Sequence, residues 1–283
     1  MRPGNRHLGI VGTGLIGGSL GLALVGTGFT RVGWDRDDRA LCRAVARGAV
    51  DRGASSLDEL ARSCDVIVLA LPPRHVVATA RALLDCGASP KALFNAASVQ
   101  ERAFVSLAPL FDGRYAGFHP MAGKERGGID EAEGGLFQGA LCAVVADGAT
   151  NPSVVDEALS LAELIGARST VMKPEEHDAA AGCVSHLPLL VATALAVAAG
   201  GEIEKHPAYA ALIGGGFRDT TRVASGPSWL AADVWAENRS LRELVASLIA
   251  VLEGMADGGG DEMERLASLG AARREAALSR RGG

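Results

Sequence analysis

Short apolar runs alternate with amphipathic stretches over the first 172 residues. Runs at 8–11, 31–34, 65–71, 92–95, 114–118 and 141–146 read as strands. The intervening 20–24, 38–47, 56–62, 75–84, 101–110 and 154–164 read as helices. The stretch from Val66 to Leu71 contains no polar residue, as a strand covered on both faces requires. Strand–helix alternation of this kind predicts an α/β fold with a doubly wound parallel sheet. Beyond Met172 the texture changes. Residues 175–199 read as one Ala- and Leu-rich helix interrupted only by Pro188, followed by helices at 206–213, 228–236, 239–256 and 261–280. Two domains are expected, residues 1–172 and an all-helical 173–283, the second completing the site and forming a homodimer.

Composition narrows this picture. Hydrophobic residues make up 48% of the 283 positions and aromatics only 4%, so a core of Ala, Val and Leu is expected. A net charge of −5 argues against nucleic acid as a partner. Five cysteines contain no C-x-x-C pair, which predicts free thiols in a reducing cytoplasm and no metal site. The first seven residues hold no apolar segment of the secretory type, and no membrane span is expected.

The chemistry begins at Gly12-x-Gly14-x-x-Gly17, directly after the first strand and before a helical run. That context makes it a dinucleotide fingerprint. The first glycine permits the tight turn, the second lets backbone approach a pyrophosphate, and the third packs helix on strand. Leu15 and Ile16 complete the turn. Asp35 ends the second strand, eighteen residues after Gly17, where a carboxylate accepts from a ribose 2′-OH and repels a 2′-phosphate. NAD is therefore the expected cofactor, with the neighbouring Arg36 over the adenine or in solvent. Leu71 and Pro72 follow the 65–71 run, at the carboxyl edge where the cofactor should lie. Ser98 closes a small polar loop after residues 92–95.

His119 is braced by Pro120, which restricts the backbone before it, and is expected in a loop as a positioned acid or base. In the helical part, Asp178, Ser185 and Leu189 are spaced by seven and four, so they should share a helix face. His177-Asp178 reads equally well as an interhelical hydrogen-bond network or as part of a site, whereas Ser185-His186 favours a site. Gly214-Gly-Gly-Phe-Arg218-Asp-Thr-Thr-Arg222 reads as a loop able to wrap an anion.

In this order, the motifs resemble the prephenate/arogenate dehydrogenase family. They are Gly12–Leu20, Asp35, Ser98-Val99, His119-Pro-Met-Ala-Gly123, Ile129-Asp130 through Leu136-Phe137, His177-Asp178, Ser185-His-Leu-Pro188 and Gly216–Arg222. The resemblance implies a Rossmann domain, NAD-dependent oxidative decarboxylation of a cyclohexadienyl substrate, and a place in tyrosine biosynthesis. It further implies His119 as the catalytic histidine with Ser98 beside it, and Arg222 as the binder of a substrate carboxylate. Arg218, Ser185, His186 and Leu189 are expected near the substrate.

The departures from the family pattern bear on the substrate. Leu189 stands where many prephenate-using members carry histidine, which resembles the arogenate branch. Asn95 and Gln100 replace a more usual Asp and Lys, and Lys124 a common Thr. A 4-amino-4-deoxyprephenate dehydrogenase is a third possibility. A β-hydroxyacid dehydrogenase would need a lysine within 175–200, which has none. A non-catalytic NAD sensor would leave the helical motifs without a purpose.

Overall fold

A computed structural model describes residues 6–280. The sheet domain runs β1 (Arg6–Val11), α1 (Leu15–Ala23), β2 (Phe29–Trp34), α2 (Asp38–Ala46), β3 (Arg52–Gly53), α3 (Leu57–Ser63), β4 (Val66–Leu69), α4 (Pro73–Asp85), β5 (Ala92–Asn95), α5 (Glu101–Leu107), β6 (Tyr115–Pro120), β7 (Leu141–Val145), α6 (Pro152–Leu164) and β8 (Arg168–Met172). The strands form one sheet in the order β3-β2-β1-β4-β5-β6-β7-β8. The order reverses direction between β1 and β4, which opens a crevice at their carboxyl ends.

The expected α/β sheet is present, with one correction. β7 pairs antiparallel with β6, placing His119 opposite Ala143. The connection from 121 to 140 contains only a single 3₁₀ turn at Ile129–Glu131. A parallel return needs a crossover of a dozen or more residues, usually a helix, and none forms here. His119 itself lies within β6 and not in a loop. β8, which pairs parallel with β7, was not anticipated because its side chains are largely exposed and show no apolar run.

Side chains alternate across the sheet and feed two cores. Val66 and Val68 pack on one side with Leu8, Ile10 and Phe118, whereas Ile67 and Leu69 pack on the other with Leu93 and Tyr115. Ala, Val and Leu make up most of the core, as expected, with a few buried aromatics among them. Phe94 stacks near Phe118 at 5.9 Å, and Tyr115 meets Phe104 at 5.6 Å. These pairs stiffen β5 and β6, the strands that carry Ser98 and His119 to the crevice.

The helical part begins with α7 (Pro174–Ala181) and a π-turn over Gly182–His186, then α8 (Leu187–Lys205), a 3₁₀ segment at Pro207–Leu212, α9 (Gly215–Thr221) and α10 (Ser228–Glu237). The π-turn lies just before Pro188, where the missing N–H disturbs the regular ladder. Compactness places the sheet domain and these helices in one unit that extends to Arg239. Across the division expected at 172/173, α7 packs on α5 and β7, and α10 on α4. A second unit, from Ser240 on, contains the helix pair α11 (Leu241–Asp257) and α12 (Gly259–Ser279).

The stretch Pro174–Lys205 is long and apolar enough to cross a membrane by length and composition, with mean hydropathy 1.8. Its first turns bury His177 and Asp178 within the sheet unit, whereas in α8 only Ala192 is buried.

Candidate active site

The crevice at the carboxyl ends of β1, β4, β5 and β6 encloses about 530 Å³. Gly12, Gly14, Leu15, Ile16, Asp35, Arg36, Leu71, Pro72, Ser98 and His119 all line it. Gly12 adopts φ +90°, and a Cβ there would come within 2.4 Å of the Ala70 carbonyl. Gly17 lies behind the wall, where a Cβ would fall 1.9 Å from the Gly12 carbonyl oxygen. A Cβ at Gly14 would meet nothing within 4 Å, so that peptide opens onto free space. Turn, close approach and opening thus divide among the three glycines as the fingerprint requires.

Asp35 directly follows β2 at the same edge. Its Oδ2 accepts from the Thr13 amide at 2.7 Å and its Oδ1 from the Asp37 amide at 3.0 Å, which orients the carboxylate across the glycine turn. Arg36 beside it is exposed at the mouth. The far wall comes from α10, which contributes Trp229 and Leu230. Asp233 fixes that helix to the start of α4 through Arg74, at 3.0 Å.

Ser98 is positioned by two fully buried amides. Asn95 Nδ2 donates to Gln100 Oε1 at 3.1 Å, and Gln100 Nε2 donates to the carbonyls of Asn95 and Ala97 at 3.0 and 2.7 Å. Asn95 Oδ1 accepts from the Ala97 amide at 3.0 Å, closing the turn. The neutral pair satisfies its own polar groups, so no buried charge is needed beneath the serine. Ser98 Oγ is buried without a protein partner.

His119 is buried at the end of β6, and its Nδ1 lies 2.9 Å from His177 Nε2. His177 Nδ1 in turn lies 2.8 Å from Asp178 Oδ1. The carboxylate also accepts from the amides of Gln100 and Glu101, at 2.8 and 3.0 Å. Burial, with smaller contributions from His177 and His186, holds the His119 pKa well below that of a free imidazole, so the ring is neutral near neutral pH. Burial likewise lowers His186 to about 4, against an opposing pull from Asp178.

The residues expected around the substrate are not gathered into this crevice. Ser185 is exposed, and His186 takes the inward position. The reason is the π-turn, which holds one residue more than an α-turn, so eight residues instead of seven separate Asp178 from the inward polar side chain two turns on, His186. Leu189 is half-buried and lies off the crevice wall. Arg218 and Arg222 are exposed on α9 and the turn after it, because the glycines at 215 and 216 open a helix and not a loop. Arg222 pairs with Glu125, one residue from the wall residue Lys124. His177 and Asp178 form a buried hydrogen-bond network with His119 and the main chain at 100–101, and Asn238 joins them without any sequence signal. Among the described residues no cluster of His, Cys, Asp and Glu is arranged to hold a metal ion.

The chain that builds this crevice is similar to known proteins along most of its length. Residues 20–171 match the nucleotide-binding domain of prephenate dehydrogenase, and residues 173–263 its dimerization domain. The chain belongs to the prephenate dehydrogenase family. A prephenate dehydrogenase of Bacillus subtilis (strain 168) is 28% identical over 235 residues, 81% of this chain and 63% of that protein. This member of the family thus spans less than two thirds of the Bacillus relative. The crystal structure of prephenate dehydrogenase from A. aeolicus, in complex with hydroxyphenyl propionate and NAD+, superposes with a TM-score of 0.82 at 26% identity, covering 95% of this chain and 98% of that one. Synechocystis arogenate dehydrogenase superposes at 0.76 with 28% identity, covering 96% and 99%.

Proposed function

We propose that this protein is an NAD-dependent cyclohexadienyl dehydrogenase that oxidises and decarboxylates arogenate or prephenate in tyrosine biosynthesis. The observation that carries the reading is a buried, neutral histidine lining the same crevice as Gly12 and Gly14 of the nucleotide turn. Gly12, Gly14, Leu15, Ile16, Leu71 and Pro72 would hold the dinucleotide. Asp35 would take the ribose hydroxyls and disfavour a 2′-phosphate. Bound NAD would supply the acceptor for the hydride, the C4 hydrogen with its electron pair, that leaves the substrate.

His119 accepts the proton of the C4 hydroxyl as the carbonyl forms. Cleavage of the bond between C1 and its carboxylate then releases CO2; those electrons pass through the ring to the C4 oxygen, giving an aromatic phenolate that takes back a proton to become the phenol. General-base assistance of this kind contributes roughly 10²–10⁴-fold. Ser98, with its hydroxyl otherwise unpartnered, is assigned the substrate hydroxyl as its hydrogen-bond partner. Arg222 is assigned a substrate carboxylate, reached by exchange from Glu125. Leu189 lies off the crevice wall and is assigned to the substrate side chain on the family pattern alone; it can donate no hydrogen bond to a pyruvyl group and so favours arogenate.

The dimerization-domain match and the exposed apolar side chains of α8, Leu195 and Val197 among them, support a homodimer formed through the helical part, with the functional boundary near residue 172. Five free cysteines are consistent with a cytoplasmic protein. The test is NAD reduction with purified arogenate and prephenate in parallel. Turnover of neither, with NAD still bound, would overturn the reading.

A further inference from the structure

We infer that Asp178, acting through His177, fixes the ring proton of His119 on Nδ1 and leaves Nε2 as the lone pair that faces the crevice. Both are positioning residues, and the inference rests on the base role proposed for His119. Four contacts determine the assignment. The Asp178 carboxylate already accepts from two main-chain amides, at 2.8 and 3.0 Å, so it meets the His177 ring as an acceptor. His177 therefore donates from Nδ1, at 2.8 Å. A neutral imidazole has one N–H, so His177 presents a bare Nε2 on its other side. The hydrogen in the 2.9 Å contact between that nitrogen and His119 Nδ1 then belongs to His119. With its single proton committed inward, His119 retains an unprotonated Nε2.

A second branch from the same aspartate sets the opposite tautomer on His186. Asn238 Nδ2 donates to the Asp178 carbonyl oxygen at 2.7 Å, which fixes the orientation of its amide, since a carbonyl can only accept. The same Nδ2 lies 3.0 Å from His186 Nδ1, which must then be the acceptor. His186 thus carries its proton on Nε2, a buried atom with no partner in the protein. One residue, through its carboxylate and its carbonyl, orders two histidines in opposite senses.

Long-range ¹H–¹⁵N spectra of the full-length, ¹⁵N-histidine-labelled protein read both tautomers without any turnover. Near neutral pH, His119 should show an unprotonated Nε2 and His186 an unprotonated Nδ1. His177→Gln keeps an acceptor for the His119 N–H, whereas His177→Leu removes it. The glutamine variant should retain kcat within about tenfold, and the leucine variant should lose on the order of 10²-fold or more with the His119 tautomer mixed. The NAD Kd should change in neither. A wild-type His119 protonated on Nε2, or a doubly protonated His177, would overturn the assignment. So would equal kcat values in the two variants. If the leucine variant does not fold, the wild-type spectrum and the glutamine variant still decide. The predicted tautomers in a protein that turns over no cyclohexadienyl substrate would refute the proposed function and leave this inference standing.

Discussion

Acidification should unfold this protein above the range where carboxylates protonate, and His186 is the residue to change. In the fold its pKa is lowered to about 4 by burial, from the 6.5 of a free side chain. Between those two values the unfolded chain takes up a proton that the folded chain refuses. Stability is therefore complete above about pH 6.5 and falls as pH drops toward about 4, at up to about 1.4 kcal/mol per pH unit. The full displacement corresponds to about 3 kcal/mol from this one group. His119, lowered by the same burial, adds a contribution of the same sign over a window with the same upper edge. Set against a typical total of about 5–15 kcal/mol, the two remove a large share. Urea denaturation at about pH 7.5, 6.5, 5.5 and 4.5 measures the slope in wild type and in His186→Gln, which keeps an acceptor for Asn238. The variant should have a shallower slope by about 1.4 kcal/mol per unit. A wild type whose stability is flat below pH 6.5, or a variant with an unchanged slope, would refute the burial argument.

Other perturbations address the crevice itself. His119→Asn should fold and bind NAD while kcat falls by about 10²–10⁴-fold, so near-normal turnover would remove it from the chemistry. Asp35→Ser should weaken NAD and admit NADP, as measured by the ratio of kcat/KM for the two cofactors; a wild type that already prefers NADP would contradict the ribose assignment. Arg222→Lys should raise KM for the cyclohexadienyl substrate with the NAD Kd unchanged, by an amount equivalent to about 2–5 kcal/mol if the carboxylate contact is desolvated. Equal losses for substrate and cofactor would place the guanidinium at the pyrophosphate instead. Leu189→His should shift the arogenate-to-prephenate ratio of kcat/KM toward prephenate, and an unmoved ratio would show that this position does not read the side chain.

Much of the architecture was legible because the apolar runs that become β1, β4 and β5 are short, covered on both faces and each followed by a helix. The glycine turn and Asp35 were legible for a related reason, since their spacing is local and its physical demands are few. Direction was lost at β7, because a run of apolar residues reports burial and not polarity of the chain. His119 appeared to belong to a loop because Pro120 and Gly123 punctuate the sequence there, yet the ladder with β7 continues through Pro120. The inward face of the long helix was misassigned by one position because periodicity assumes 3.6 residues per turn, which the π-turn breaks. Arg218 and Arg222 were read as loop residues because glycines suggest breaks, although here two of them begin a helix. Asn238 could not have been found at all. Its tie to Asp178 spans sixty residues and has no local pattern.

The π-turn also acts as a phase setting. It holds one surplus residue, and removing an exposed one such as Cys183 or Val184 would let α7 run into α8 as a regular helix. One residue corresponds to about 100° of rotation. Everything from Leu187 to Lys205 would turn by that angle relative to Asp178, carrying the apolar side chains Leu195 and Val197 round with it. The orientation of His186 and the direction in which α8 offers its apolar surface are thus geared to the same extra residue. A shift of either one by deletion drags the other with it, so this helix can be retuned by substitution but not by change of length.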